Sequence, residues 1–126
     1  MNSTAKIFLF LGSLNAALAV LLGAFGAHAL KLKLSEHMMS VYQTGNQYHF
    51  YHALGLLLLG TIALNLAPSV WLKISGWLMF SGIVLFSGSL YALALSQVRW
   101  LGAITPLGGS AFILAWCSLA IALVRN

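Results

Sequence analysis

From Ile7 to Leu30 the chain runs 24 residues with no lysine, arginine, aspartate or glutamate. As an α-helix that run would be about 36 Å long, enough to cross a hydrocarbon core of about 30 Å with some tilt. A backbone inside lipid must satisfy its own N–H and C=O groups, and a run of this length does so as a helix. Three more apolar runs follow at about 48–66, 71–95 and 101–124, each close to the roughly 20 residues a spanning helix needs. The expected fold is all-α: an integral membrane bundle of four transmembrane helices forming one domain over residues 1–126. Composition agrees, with 61% hydrophobic and 6% charged residues, against roughly a quarter charged in a soluble domain.

The connections are less uniform. Lys6 ahead of the first run and Ala27-His28-Ala29 near its end imitate a signal peptide with a small-x-small cleavage site. The run is too long for a signal core of about 7 to 15 residues, so it reads as a span. Residues 34–46 then mix Leu34, Met38, Met39, Val41 and Tyr42 with Ser35, Glu36, His37, Gln43 and Asn46. That mixture predicts a short interfacial helix between helices 1 and 2, capped by Ser35 and ended by a break at Gly45-Asn46. Pro68 separates the second run from the third, and Pro106 falls in the first turn of the fourth or kinks it there.

The net charge of +5 comes from Lys6, Lys31, Lys33, Lys73, Arg99 and Arg125 against Glu36 alone. These residues are scattered, which excludes the clustered basic stripe of a nucleic-acid binder and suits anchoring at lipid headgroups. With four spans both termini share one face, and the positive residues then divide three against three. Charge therefore does not orient the chain. The single cysteine, Cys117, lies in an apolar run, forms no internal disulfide and reads as a packing residue. No repeat relates the first and third runs, so an inverted-repeat transporter gets no support.

Packing signals sit on small residues. Gly12, Ala16, Ala19, Gly23 and Ala27 recur at three- and four-residue spacing along the first run, the pattern that lets helices approach closely in lipid. Gly88 with Ala92, Ala111 with Ala115, and Ser118 with Ala122 repeat it later. Asn15 and Asn65 are expected to make hydrogen bonds between helices.

The polar residues collect at one end. On four spans, His28, His37, Gln43, Asn46, Gln47, Tyr48, His49, Tyr51, His52, Tyr91, Gln97 and Thr105 all fall on the face away from the termini. An ionisable group in or beside a membrane is costly without a partner and so marks a candidate site. His49 and His52 are three apart, on one helix face. His28 leaves the first span near where His52 enters the second, so the two are expected at similar depth. The plainest expectation is that His28 and His52 hydrogen-bond across helices and fix the interfacial segment, while tyrosines and tryptophans form an aromatic belt. Neutral imidazoles beside Gln47, Tyr48 and Tyr51 are also suited to zinc or copper, to haem or to proton relay. Yet no H-E-x-x-H, C-x-x-C or haem-attachment motif is present, and one acidic residue leaves few supporting carboxylates. No metal ligand set and no cofactor is assigned. Ser35, Ser40 and Cys117 are possible nucleophiles without a partner implied by spacing, so no catalytic residue is assigned either.

Four blocks carry a resemblance: Gly23-Ala-Phe-Gly-Ala-His-Ala-Leu-Lys31, Tyr48 to Leu56 with His52-Ala-Leu, Phe86-Ser-Gly-Ser-Leu-Tyr-Ala-Leu-Ala94, and Leu101-Gly-Ala-Ile-Thr-Pro-Leu-Gly-Gly109. In this order they resemble the domain of unknown function 423 family, the transmembrane protein 256-like small membrane proteins, over about residues 7 to 124. The resemblance implies a compact four-helix protein of the plasma membrane, the inner membrane in bacteria, and brings no established activity. It carries over to His28, His52, Tyr91, Thr105, Pro106, Gly108 and Gly109. The family more often has glutamine at position 49, which sets His49 apart and leaves His28 with His52 as the better pair.

Three functional readings follow. The first is a non-enzymatic membrane protein whose polar end, His28, His52, His49, Tyr48, Gln47, Tyr91 and Thr105, binds a lipid, a small ligand or a membrane-protein partner, a second copy included. The second is a small channel or carrier using His28 and His52 in proton-coupled movement. The third is a metal- or haem-binding membrane protein.

Overall fold

Asn2 starts the first helix by accepting the Ala5 N–H at 2.8 Å on its side-chain oxygen, which satisfies one of the donors a helix start leaves free. The computed structural model describes all 126 residues, and all of its regular structure is helical. Helix α1 (Ser3–Phe25) widens at its end into a π-helical turn, Gly26–Leu30. Helix α2 covers Glu36–Ala63, with the Ser35 hydroxyl accepting the Met38 N–H and Glu36 in its first turn. Helix α3 (Val70–Gly82) is capped by Ser69 and passes through a π segment, Ile83–Ser87, into α4 (Gly88–Ser96). That helix stops at Gln97, which takes the left-handed conformation with φ of 61°. A 3₁₀ turn, Arg99–Ala103, leads into α5 (Thr105–Arg125), where Pro106 occupies the first turn, a place where its missing N–H costs nothing.

Three stretches are long and apolar enough to cross a membrane: Ser3–Leu30, Val70–Ser96 and Arg99–Arg125. Their outward surfaces suit lipid, with Leu21 67% and Ile113 66% exposed. The fourth expected span differs. Helix α2 is 28 residues long, but its first half carries the polar residues expected in a separate interfacial helix, and no such separate helix forms. Gly45 and Asn46, expected as a break, lie inside α2. The reason is tertiary. Gly45 faces the Ser87 backbone and Leu90, where a side chain would be tight, and the Asn46 amide donates to Ala19 O at 2.8 Å on α1 instead of competing for its own backbone.

Helix α2 is the centre of the bundle, packed along α1 on one side and against α3, the π segment and α4 on the other. Asn2 Nδ2 donates to Ala63 O at 3.0 Å and Asn126 Nδ2 to Ala67 O at 3.3 Å. Both termini thus lie at the end where α2 turns into α3. There a core of Phe8, Leu56, Leu59, Leu72, Met79, Phe112 and Leu119 fills the bundle, and Ser75 Oγ donates to Ala115 O at 2.7 Å to join α3 to α5. The small-residue face of α1 is used in part. Gly12 and Ala19 are buried, Ala16 and Gly23 half-buried, and Ala27 exposed. The wider π turn rotates the helix face, bringing Gly26 and Leu30 inward in place of Ala27. A Cβ on Gly12 would stand 2.8 Å from the Leu57 backbone nitrogen, so α1 and α2 touch there backbone to backbone. Asn65, expected to bond between helices, reaches only Thr61 O one turn back, at 3.5 Å.

Gly108 makes the other close approach: a Cβ there would overlap the backbone of Leu85 and Phe86 in the π segment, whereas one on Gly88 would meet nothing nearer than Ile83 O at 3.9 Å. Gly108→Ala should lower thermal stability in detergent by an amount equivalent to about 1–3 kcal/mol, the usual cost of overpacking, while Gly88→Ala should not. Equal melting temperatures for the two variants would contradict this packing.

Candidate functional site

The polar residues of α1, α2 and α4 meet because antiparallel helices match step for step. Leu22, Ala19 and Asn15 on α1 lie opposite Tyr42, Asn46 and His49 on α2: Tyr42 Oη donates to Leu22 O at 2.6 Å, Asn46 Nδ2 to Ala19 O at 2.8 Å, and His49 Nε2 sits 3.0 Å from Asn15 Oδ1. Tyr91 of α4 closes the group, its hydroxyl 2.9 Å from His49 Nδ1 and 3.1 Å from Asn46 Nδ2. His49 is 2% exposed and Asn15 7%.

The proton positions follow from the partners. Asn15 Nδ2 donates to Leu11 O at 2.9 Å, so its oxygen is the acceptor and His49 Nε2–H donates to it. The other ring nitrogen then accepts from Tyr91, whose oxygen accepts from Asn46. Every step from Asn46 through Tyr91, His49 and Asn15 to Leu11 runs donor to acceptor in one direction, and the imidazole is the neutral Nε2–H tautomer. Three helices are tied by one chain of hydrogen bonds.

His52, one turn on, takes the opposite tautomer. Trp116 Nε1 donates to His52 Nε2 at 3.0 Å, so His52 Nδ1–H donates to Tyr48 O at 2.8 Å. Its ring lies flat on Phe112, centroids 3.5 Å apart and 7° from parallel. His52 thereby joins α2 to α5.

The other expected site residues disperse. His28 is exposed on the π turn and shares no partner with buried His52. The expected His28–His52 pair therefore does not form: the π turn carries His28 to the outside while His52 turns toward α5. Tyr48 contributes its carbonyl, and its ring packs 4.8 Å from Phe86. Thr105 Oγ1 lies 2.7 Å from Ser89 Oγ, joining the start of α5 to α4. Gln47 is exposed on the outside of α2. Sequence reasoning placed Asn46 on the polar face without making it a site member, left out Phe112 and Trp116, and expected of Asn15 only a bond between helices. The signal for Asn46 was its register opposite Ala19; for Phe112 and Trp116 there was none in the spacing.

Beside this network a cleft of about 410 Å³ opens between α1 and α3–α4. The two helices meet where Phe8 presses on Gly76 and stacks edge-on to Trp77 at 5.3 Å. Further along they part, and Leu11, Leu14, Leu18, Phe80, Ile83 and Val84 wall a gap whose polar members are Asn15, His49 and Tyr91.

A family model described as Protein of unknown function (DUF423) matches residues 22–109. The chain belongs to this family. Within that match lie Asn46, His49, His52 and Tyr91, while Asn15, Phe112 and Trp116 fall outside it. Among DUF423-like proteins, the UPF0382 membrane protein YwdK of Bacillus subtilis is 53% identical over 120 residues, covering 95% of this chain and 98% of that protein. A UPF0382 membrane protein of Staphylococcus epidermidis is 54% identical over 124 residues, covering 95% and 97%. One from Staphylococcus saprophyticus is 53% identical over 120 residues, covering 92% and 95%. No solved structure matches the chain. The expected DUF423 membership is thus shown, and with it the reading of the chain as a membrane protein.

A buried group left without its partner costs about 1–3 kcal/mol. His49→Leu should therefore lower unfolding stability in detergent by about that much, because it strands Asn15 and Tyr91. His49→Gln, whose amide can both donate and accept, should recover part of the loss. Exposed His28→Ala should change stability by less than about 0.5 kcal/mol. A His28 variant as damaging as His49→Leu would contradict the assignment.

Proposed function

We propose that the protein is a four-span, multi-pass protein of the bacterial inner membrane that acts by binding, not catalysis. Its ligand is an apolar molecule taken from the bilayer into the cleft between α1 and α3–α4. The observation that carries this reading is the cleft: about 410 Å³, within the range of ligand sites, mostly apolar with a few converging polar groups.

Its chemistry narrows the ligand. Asn15 gives one amide proton to Leu11 O and accepts from His49, which leaves a second amide N–H for an acceptor on the ligand. Asn15 lies near the middle of the Ser3–Leu30 span, so that acceptor sits deep in the membrane. A long neutral molecule with a carbonyl or ether oxygen within its apolar body fits; a charged headgroup does not. The proton-relay reading draws no support, because the hydrogen bonds through His49 and His52 end on the backbone carbonyls of Leu11 and Tyr48, which pass no proton on. Nor does the metal reading, because both ring nitrogens of His49 and of His52 already hold protein partners. A metal ion would need to displace one of them.

The fourth span is α2. Its 28 residues make about 42 Å of helix, and its bonds to Leu22, Ala19 and Asn15 set it alongside a stretch that crosses the membrane. The relatives from Bacillus subtilis and Staphylococcus epidermidis are named membrane proteins, which supports a location in the bacterial plasma membrane.

Gly88 lines the cleft with open space around its Cβ direction, so Gly88→Phe fills it while Gly88→Ala leaves it open. Native mass spectra of protein taken gently from its membrane should show one retained apolar molecule in the wild type and in Gly88→Ala, falling several-fold in Gly88→Phe. Equal retention in all three, or no retained molecule in any, would overturn the reading.

A further inference from the structure

The hydrogen bonds made by α2 side chains come from Tyr42, Asn46, His49, His52 and Thr61. A second polar row on the same helix, Ser40, Gln43, Thr44, Gln47 and Tyr51, makes no side-chain hydrogen bond, the Tyr51 ring packing edge-on to Tyr48 at 5.7 Å. Ser40 is three and four residues from Gln43 and Thr44, which are four and three from Gln47, itself four from Tyr51, so they form one stripe, and they line an open groove of about 540 Å³ on the outside of the bundle.

Depth makes the stripe unusual. The bonds from Tyr42, Asn46 and His49 to Leu22, Ala19 and Asn15 place it level with the outer half of the first span. At that level α1 turns Leu14, Leu18, Leu21 and Phe25 outward. What suits lipid on one helix would be costly on its neighbour, since hydrocarbon offers no partner to two amides and three hydroxyls.

We propose that this stripe is the contact surface of a homodimer, in which α2 of one copy packs on α2 of a second around a two-fold axis along the membrane normal. Two-fold symmetry brings each patch against itself, so the patch must be self-complementary. It is: glutamine amides and hydroxyls both donate and accept, and the stripe carries no charge to repel its copy. Ser40 and Thr44, small and four apart, allow the close approach that polar contacts between membrane helices use. The hydroxyls and amides of the stripe make no hydrogen bond in the single chain, so pairing breaks none inside it. The proposal rests on the reading of α2 as a span.

The test uses single-cysteine variants in a Cys117→Ser background, Cys117 being exposed, reconstituted in lipid vesicles. Under a membrane-soluble oxidant, Gln43→Cys and Gln47→Cys should give a disulfide-linked dimer, while Leu21→Cys at similar depth should give several-fold less. Adding Gln43→Leu and Gln47→Leu to Ser40→Cys should cut its crosslinking several-fold. A monomer by single-molecule photobleaching, with Gln47→Cys shielded from a water-soluble maleimide, would overturn the dimer and leave the span standing. A monomer whose Gln47→Cys reacts freely with that maleimide would overturn the span and the dimer together. Equal crosslinking at all three cysteine positions would mark the contact as non-specific and also overturn it.

Discussion

Hydrocarbon cannot solvate an amide, a phenol or an imidazole, so each such group inside the bundle must be met by another helix. The chain from Asn46 through Tyr91, His49 and Asn15 to the Leu11 carbonyl meets this requirement with no group left in conflict. Because each member has one orientation that suits both neighbours, the chain fixes the rotation and the depth of α1, α2 and α4 together. Apolar packing does not have this discrimination: a leucine face slid by one turn still meets leucines, whereas His49 one turn away would find neither Asn15 nor Tyr91.

The close contacts elsewhere follow from this frame. With the register held, Gly12 lets α1 touch the α2 backbone, and Gly108 lets α5 press on the π segment between α3 and α4. The same frame explains the cleft. Helix α1 is bound along its length to α2 but touches α3 only near Phe8, so the gap from Leu11 to Leu22 is left by the geometry of helices tied on one side. Helix α2 thus has two polar rows with different fates. One is spent on holding the bundle together, and the other faces outward with its bonding capacity intact.

His49 and His52 show how little the spacing of polar residues says about their work. Three residues apart on one helix, they suggest a shared ligand, yet they take opposite tautomers and serve different helices: Nε2–H toward Asn15 for one, Nδ1–H toward the Tyr48 carbonyl for the other. A rotation of about 100° per residue separates them by roughly 300° around the axis, leaving them about 60° apart, enough to aim one at α1 and α4 and the other at α5. His28, the favoured partner of His52 by depth, is turned outward by a π turn that no residue of Gly26–Leu30 announces.

The sequence by itself determined that the chain is helical and belongs in a membrane, because run length and hydropathy are local properties that lipid reads directly. It also placed the Ser35 cap and the turn at Pro68, each an effect of one residue on its own backbone, but began the last span at Leu101, where the chain forms a 3₁₀ turn before α5 starts at Thr105. It misjudged Gly45-Asn46 and the His28–His52 pair, because whether a glycine breaks a helix or seats a neighbour depends on what comes near it. Only the tertiary structure decided which polar groups meet, which row of α2 stays free, and that α1 and α3 part to leave a cleft. Those outcomes depend on the rotation of each helix about its axis, which is set by contacts between residues as far apart as Phe8 and Trp77 or His52 and Trp116 and is written in no single stretch of the chain.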